Sequence, residues 1–64
     1  MPIVTIQQSP RNIEMKRKLA QQITQAFIDC YDLAPEAIQI FFDETSHENW
    51  AKGGVLAVDR EDVG

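Results

Sequence analysis

A chain of 64 residues with one cysteine and one histidine can form no internal disulfide and offers no His/Cys cluster spaced to hold a metal. Its 44% apolar and 25% charged residues suit a folded domain rather than a disordered segment. A formal charge of −4 works against the attraction to phosphate on which nucleic-acid binding rests. No apolar run approaches the roughly 18 residues of a membrane span, and no basic-then-apolar leader opens the chain. The sequence therefore predicts one domain, residues 1–64, in the cytoplasm, with neither nucleic acid nor membrane as partner.

A domain of this size buries only about 60% of the surface that its unfolded chain exposes. Small domains make up the deficit with disulfides, metals or partner subunits, and the first two are absent from the composition. Self-association remains, so the sequence predicts a homo-oligomer.

Pro2 to Gln7 is rich in β-branched residues and predicts a strand. Pro10 then holds its neighbour extended, and Asn12 is a helix cap. Met15, Leu19, Ile23, Phe27 and Cys30 recur at spacings of four and three, with Ala20 and Ala26 beside them. Lys16, Arg17, Gln21 and Gln25 fall opposite, which predicts one amphipathic helix with Cys30 in its apolar stripe. The segment from Asp32 to Glu36 contains Pro35 and ends the helix. Ala37 to Asp43 alternates, with Ile38, Ile40 and Phe42 on one face and Gln39 and Phe41 on the other, and predicts a second strand.

Two strands joined by a helix of about five turns form a β-α-β unit, whose strands must be parallel. Glu44 to Lys52 reads as a loop. Gly53-Gly54 then leads into a short strand or hairpin arm over Val55 to Val58. The predicted class is α+β: a parallel β-α-β unit with a short C-terminal hairpin. One helix covers one face of such a sheet, so Phe41 and its neighbours require cover from another subunit.

Met1-Pro2-Ile3 opening a strand, Pro10-Arg11 before a helix, and Asn49-Trp50-Ala51-Lys52-Gly53-Gly54 after the second strand together resemble the 4-oxalocrotonate tautomerase family. The resemblance spans nearly the whole chain, with one residue missing between the first strand and Arg11. It implies a tautomerase-like fold, a hexamer built as a trimer of dimers, and proton transfer without a cofactor or metal.

The resemblance gives Pro2 the catalytic role. Removal of Met1 turns its nitrogen into a free secondary amine, and reference α-amino groups titrate near 7.7 to 8.0. Desolvation or a nearby cation lowers that value by disfavouring the protonated form. Arg11 matches the family's loop arginine for a carboxylate substrate, at a helix start whose backbone N–H groups also favour an anion. Trp50 falls where the family sets an aromatic wall against the substrate, although a lone tryptophan also serves packing. Gln39 stands where the family has a second substrate-binding arginine, and it brings a hydrogen-bond donor without a charge. Lys16, Arg17 and Lys18 match no family role and read as solvated surface.

Two other readings fit the same residues. Superfamily relatives that add water to haloacrylates use an acidic residue near position 52, and Lys52 does not supply one, although Glu44, His47 and Glu48 lie close in sequence. The hydratase, dehalogenase or lyase reading thus ranks below the tautomerase. The other alternative is a non-catalytic assembly module, in which Met1 is retained and Pro2 nitrogen stays an amide.

Overall fold

In the computed structural model, which describes residues 1–60, the first strand β1 runs from Ile3 to Gln8 and the helix α1 from Ile13 to Tyr31. The second strand β2 spans Gln39–Glu44, followed by β3 at Ala51–Lys52 and β4 at Val55–Leu56. Residues 61–64, the end of the predicted domain, lie outside the described residues. β1 and β2 pair in parallel from Ile3 opposite Gln39 to Gln8 opposite Glu44, and β3 pairs with β4 antiparallel. The predicted α+β class, with its β-α-β unit and terminal hairpin, is the observed fold.

Local chemistry sets the boundaries. Asn12 has extended backbone and its side chain accepts the Met15 N–H at 2.8 Å, capping α1. This satisfies one of the four N–H groups that a helix start leaves without an internal partner. At the other end Asp32 takes a left-handed conformation, φ 56°, and its N–H reaches the Ile28 carbonyl at 2.9 Å.

The second strand starts later than the alternation suggested. Pro35 opens a 3₁₀ turn through Ala37, closed by Ala37 N–H on Ala34 O and Ile38 N–H on Pro35 O. The proline ring fixes a helical φ there, so Ala37 never enters the ladder. The segment read as a loop contains a further 3₁₀ turn at His47–Asn49, and Val58 lies in a third, Ala57–Asp59, rather than in a strand. Gly53 and Gly54 join β3 to β4 with φ of 61° and 81°. Two positive φ values in succession are what a two-residue type I′ hairpin turn demands.

Burial divides the sheet by parity. Val4, Ile6, Ile40 and Phe42 are half-buried, whereas Ile3, Thr5, Gln39 and Phe41 are exposed. Alternation puts each set on one face, and α1 covers only the first. The helix contacts are displaced from the predicted stripe. Its half-buried residues are Lys16, Ala20, Ile23, Thr24, Phe27 and Ile28, while Met15, Leu19 and Cys30 are exposed. The apolar arc of α1 is wider than one packed face, so part of it meets the sheet and a flank stays open. Cys30, read from the sequence as core, sits on that flank.

The result is a protomer with little interior. Ile38 and Ala57 are its only buried apolar residues among those described, and Ile3 and Phe41 remain 62% and 54% exposed. Its accessible surface is 5038 Å², where a folded chain of 7.3 kDa should expose roughly 4,200 Å². Its radius of gyration is 15.0 Å, where roughly 11 Å is usual for this length. Sedimentation at micromolar concentration should therefore show no folded monomer, and the urea unfolding midpoint should rise with protein concentration. A concentration-independent midpoint in a monomeric sample is the contrary result.

Candidate active site

Pro2 precedes β1, and its carbonyl accepts the Gln39 N–H at 3.1 Å, which closes the sheet at that end. The Gln39 side chain reaches the same place, with Nε2 2.9 Å from Met1 Sδ. Parallel pairing of Ile3 with Gln39 brings these groups together. The structure thus joins Pro2 and Gln39, two of the four residues singled out from the sequence.

Arg11 lies at the opposite end. Its backbone N–H donates to Glu44 Oε2 at 2.8 Å, and Glu44 is the last residue of β2, five positions beyond Gln39. At about 3.3 Å per residue the two ends are separated by roughly 17 Å. Arg11 lines a groove with Ser9, Pro10, Ser46, His47, Glu48 and Val58. Trp50 is 40% exposed and lines an adjoining recess with Gln7, Gln8 and Thr45. The His47 ring joins the two, meeting the indole edge to face at a centroid distance of 6.0 Å. Neither recess includes Pro2 or Gln39.

Electrostatics at the Arg11 end centre on Glu44. Its Oε1 accepts from Lys16 Nζ at 2.8 Å while its Oε2 holds the Arg11 N–H. The Lys16 hydrogen bond, and after it the one from Arg11, keep the carboxyl below the usual carboxylate range. Lys16 is therefore half-buried and paired rather than solvated, because the chain's return along α1 sets its first turns beside the end of β2. The anion that meets the backbone N–H of Arg11 is the chain's own, and the Met15 N–H is taken by Asn12. What remains for an external anion is the Arg11 guanidinium, which has no hydrogen-bond or ion-pair partner among the described residues.

Sequence reasoning missed the Glu44–Lys16 pair. The available signal was topological: in a parallel β-α-β unit the second strand ends near where the helix begins. Among the described residues no group of His, Cys, Asp or Glu is placed to hold a metal, and no helix is long and apolar enough to cross a membrane.

A parallel β-α-β unit closed by a short hairpin is the fold of the 4-oxalocrotonate tautomerase-like proteins. The chain belongs to the tautomerase family, since the family model described as tautomerase enzyme matches residues 2–60. A solved 4-oxalocrotonate tautomerase homologue is 27% identical, with a TM-score of 0.86 over 95% of this chain and 98% of that one. YwhB, another homologue of 4-oxalocrotonate tautomerase, is 30% identical with a TM-score of 0.81, over 94% of this chain and all of its own. A heterohexamer 4-oxalocrotonate tautomerase from Chloroflexus aurantiacus shares the fold, with 19% identity and a TM-score of 0.72 over 92% of this chain and 95% of that chain.

The depressed Glu44 carboxyl has a consequence for stability. A group whose folded-state pKa is lowered stabilises the fold above its unfolded value, here 4.5, and that contribution disappears as pH falls through the folded value. Wild-type protein should thus outlast Glu44→Gln in urea at neutral pH, with the gap closing only in acid below that value. A gap that stays constant from neutrality down to pH 3 contradicts this.

Proposed function

We propose that residues 1–64 form one tautomerase-like domain, and that the protein is a cofactor-independent isomerase interconverting enol and keto forms of 2-hydroxydienoate or 2-keto acid substrates. The observation that carries this reading is that the family match starts at Pro2, the residue held at the first rung of the sheet. Removal of Met1 makes the Pro2 nitrogen a secondary amine. In the reaction that amine takes the enol O–H proton, the oxygen electrons close the C=O bond, and the displaced C=C pair takes a proton at carbon from the ammonium. No atom is gained or lost, and the amine is regenerated neutral.

The amine works as a base only where it is largely unprotonated at neutral pH. Both Trp50, by excluding water, and the Arg11 cation favour the neutral form. Arg11 and Trp50 lie at the far end of the same copy, so one chain does not bring them to Pro2. In the proposed assembly, a homohexamer in the cytoplasm, the Pro2 and Gln39 end of one copy meets the Arg11 and Trp50 end of another. The uncovered sheet face and helix flank supply the apolar contact area for this, and the heterohexamer relative is a precedent within the fold. Arg11 then grips the substrate carboxylate and Trp50 walls the reacting carbons. Gln39 donates a hydrogen bond beside the proline.

The engagement of Glu44 with Lys16 and Arg11 weighs against its serving as the water-activating carboxylate of a hydratase. An assembly module without activity is distinguished by intact mass and turnover: it retains Met1 and ketonises no enol.

With the processed N-terminus confirmed by mass, Pro2→Ala should lower tautomerisation at least about tenfold, in line with the usual worth of a placed general base. Full turnover in that variant removes Pro2 from the mechanism. Gln39 offers no charge to a second carboxylate, and a charge-assisted hydrogen bond is worth roughly 1.5 to 3 kcal/mol. The protein should accordingly prefer the mono-acid phenylenolpyruvate over the dicarboxylate 2-hydroxymuconate. Gln39→Arg should shift the ratio of kcat/KM values toward the dicarboxylate by about tenfold or more. An unchanged ratio at fixed pH and ionic strength assigns Gln39 no part in reading that end of the substrate.

A further inference from the structure

We propose that Glu44 is a positioning residue: by holding the Arg11 backbone with one carboxylate oxygen and Lys16 with the other, it sets where the Arg11 guanidinium meets the substrate carboxylate. The role rests on the tautomerase reading given above. One oxygen accepts the Arg11 N–H at 2.8 Å and the other accepts from Lys16 Nζ at 2.8 Å. The backbone of Glu44 is itself fixed, since it is paired with Gln8 and the next residue, Thr45, donates its N–H to Gln8 O at 2.9 Å. One carboxylate therefore ties the end of β2, the turn before α1 and the first turns of α1 to a single point.

Arg11 is confined on both sides along the chain as well. Pro10 precedes it with a fixed φ. Asn12 follows with its side chain committed to Met15 N–H and its carbonyl to Lys16 N–H. Anchoring the backbone leaves only the side-chain torsions of Arg11 to be ordered when an anion binds, which lowers the entropic cost of that step. Lys16 has a second effect. An unpaired carboxylate this close to Arg11 would repel an incoming acid and compete for the guanidinium, and the ion pair offsets that charge. The lowered carboxyl pKa is consistent with Glu44 remaining ionised in this arrangement.

The test compares phenylenolpyruvate with its methyl ester, which lacks the anion, in wild type, Glu44→Ala, Glu44→Gln and Lys16→Met, each with processed N-terminus and unchanged oligomeric state. Displacing a binding group by about 1 Å can cost up to about a hundredfold, so Glu44→Ala should raise KM for the acid about tenfold, with kcat and the ester's KM within about twofold of wild type. Glu44→Gln keeps an acceptor for the Arg11 N–H and should recover most of the loss. Lys16→Met should fall between wild type and Glu44→Ala.

An acid KM unchanged in Glu44→Ala overturns the proposal, as do equal losses on acid and ester. Should Glu44→Ala fail to fold, the Arg11 amide proton of the wild type decides by NMR: its shift must follow a single carboxyl titration in acid that is missing from Glu44→Gln. A shift indifferent to that titration overturns the proposal. Wild-type protein that turns over neither compound defeats the tautomerase reading itself, a result separate from active wild type with an indifferent Glu44→Ala.

Discussion

A sheet has two faces, and a chain with a single helix can cover only one of them. In this protein that limit governs both stability and the layout of the candidate site. Val4, Ile6, Ile40 and Phe42 are shielded by α1, whereas Ile3 and Phe41 are left facing outward and Met15 and Leu19 line an open helix flank. Exposed apolar surface on several sides is expensive for a lone chain and useful to an assembling one. The same arrangement separates the proposed base from the proposed anion-binding arginine by the length of the sheet. An incomplete core and a divided site are thus two results of one shortage of covering elements, and the proposed assembly would answer both.

The acidity of the chain raises a related problem, because a protein with a formal charge of −4 must receive an acidic substrate under the proposed reading. At surface distances most of that charge is screened, and the local arrangement decides. The carboxylate that holds the Arg11 N–H belongs to Glu44, and Lys16 pairs with it at 2.8 Å. Placing Lys16 of α1 against the end of β2 leaves the guanidinium without a partner among the described residues and keeps the acid that fixes the Arg11 backbone.

The fold was legible because its signals are local and agree with one another. Alternation across Ile38 to Phe42, the Asn12 cap, the break at Pro35 and the paired glycines each rest on neighbours in sequence. Errors arose where a second force competed. Ala37 carries no preference strong enough to resist the turn that Pro35 imposes. Hydropathy places Met15, Leu19 and Cys30 in one apolar stripe without saying which partner covers it, and all three are exposed. Lys16 looks solvated in sequence because its partner lies 28 residues away. Of the four residues singled out for the site, sequence reasoning could name each but not their grouping: Pro2 with Gln39 at one end and Arg11 near Trp50 at the other follows from strand register, a property of the folded chain.

The Gly53-Gly54 turn has an implication for handedness. A Cβ built on either glycine meets nothing within 4 Å, yet φ is 61° at one and 81° at the other. The bar to a side chain at the hairpin tip is thus chirality and not volume. L-alanine would be forced into the left-handed region, while D-alanine prefers it and would find open space. A chain of this length made by chemical synthesis with D-alanine at either position would keep its native turn and restrict the unfolded state, an effect usually worth about 0.4 to 1 kcal/mol where the backbone is compatible. The tip of the hairpin selects for left-handed backbone, which among genetically encoded residues glycine adopts with least strain and asparagine or aspartate more readily than the rest.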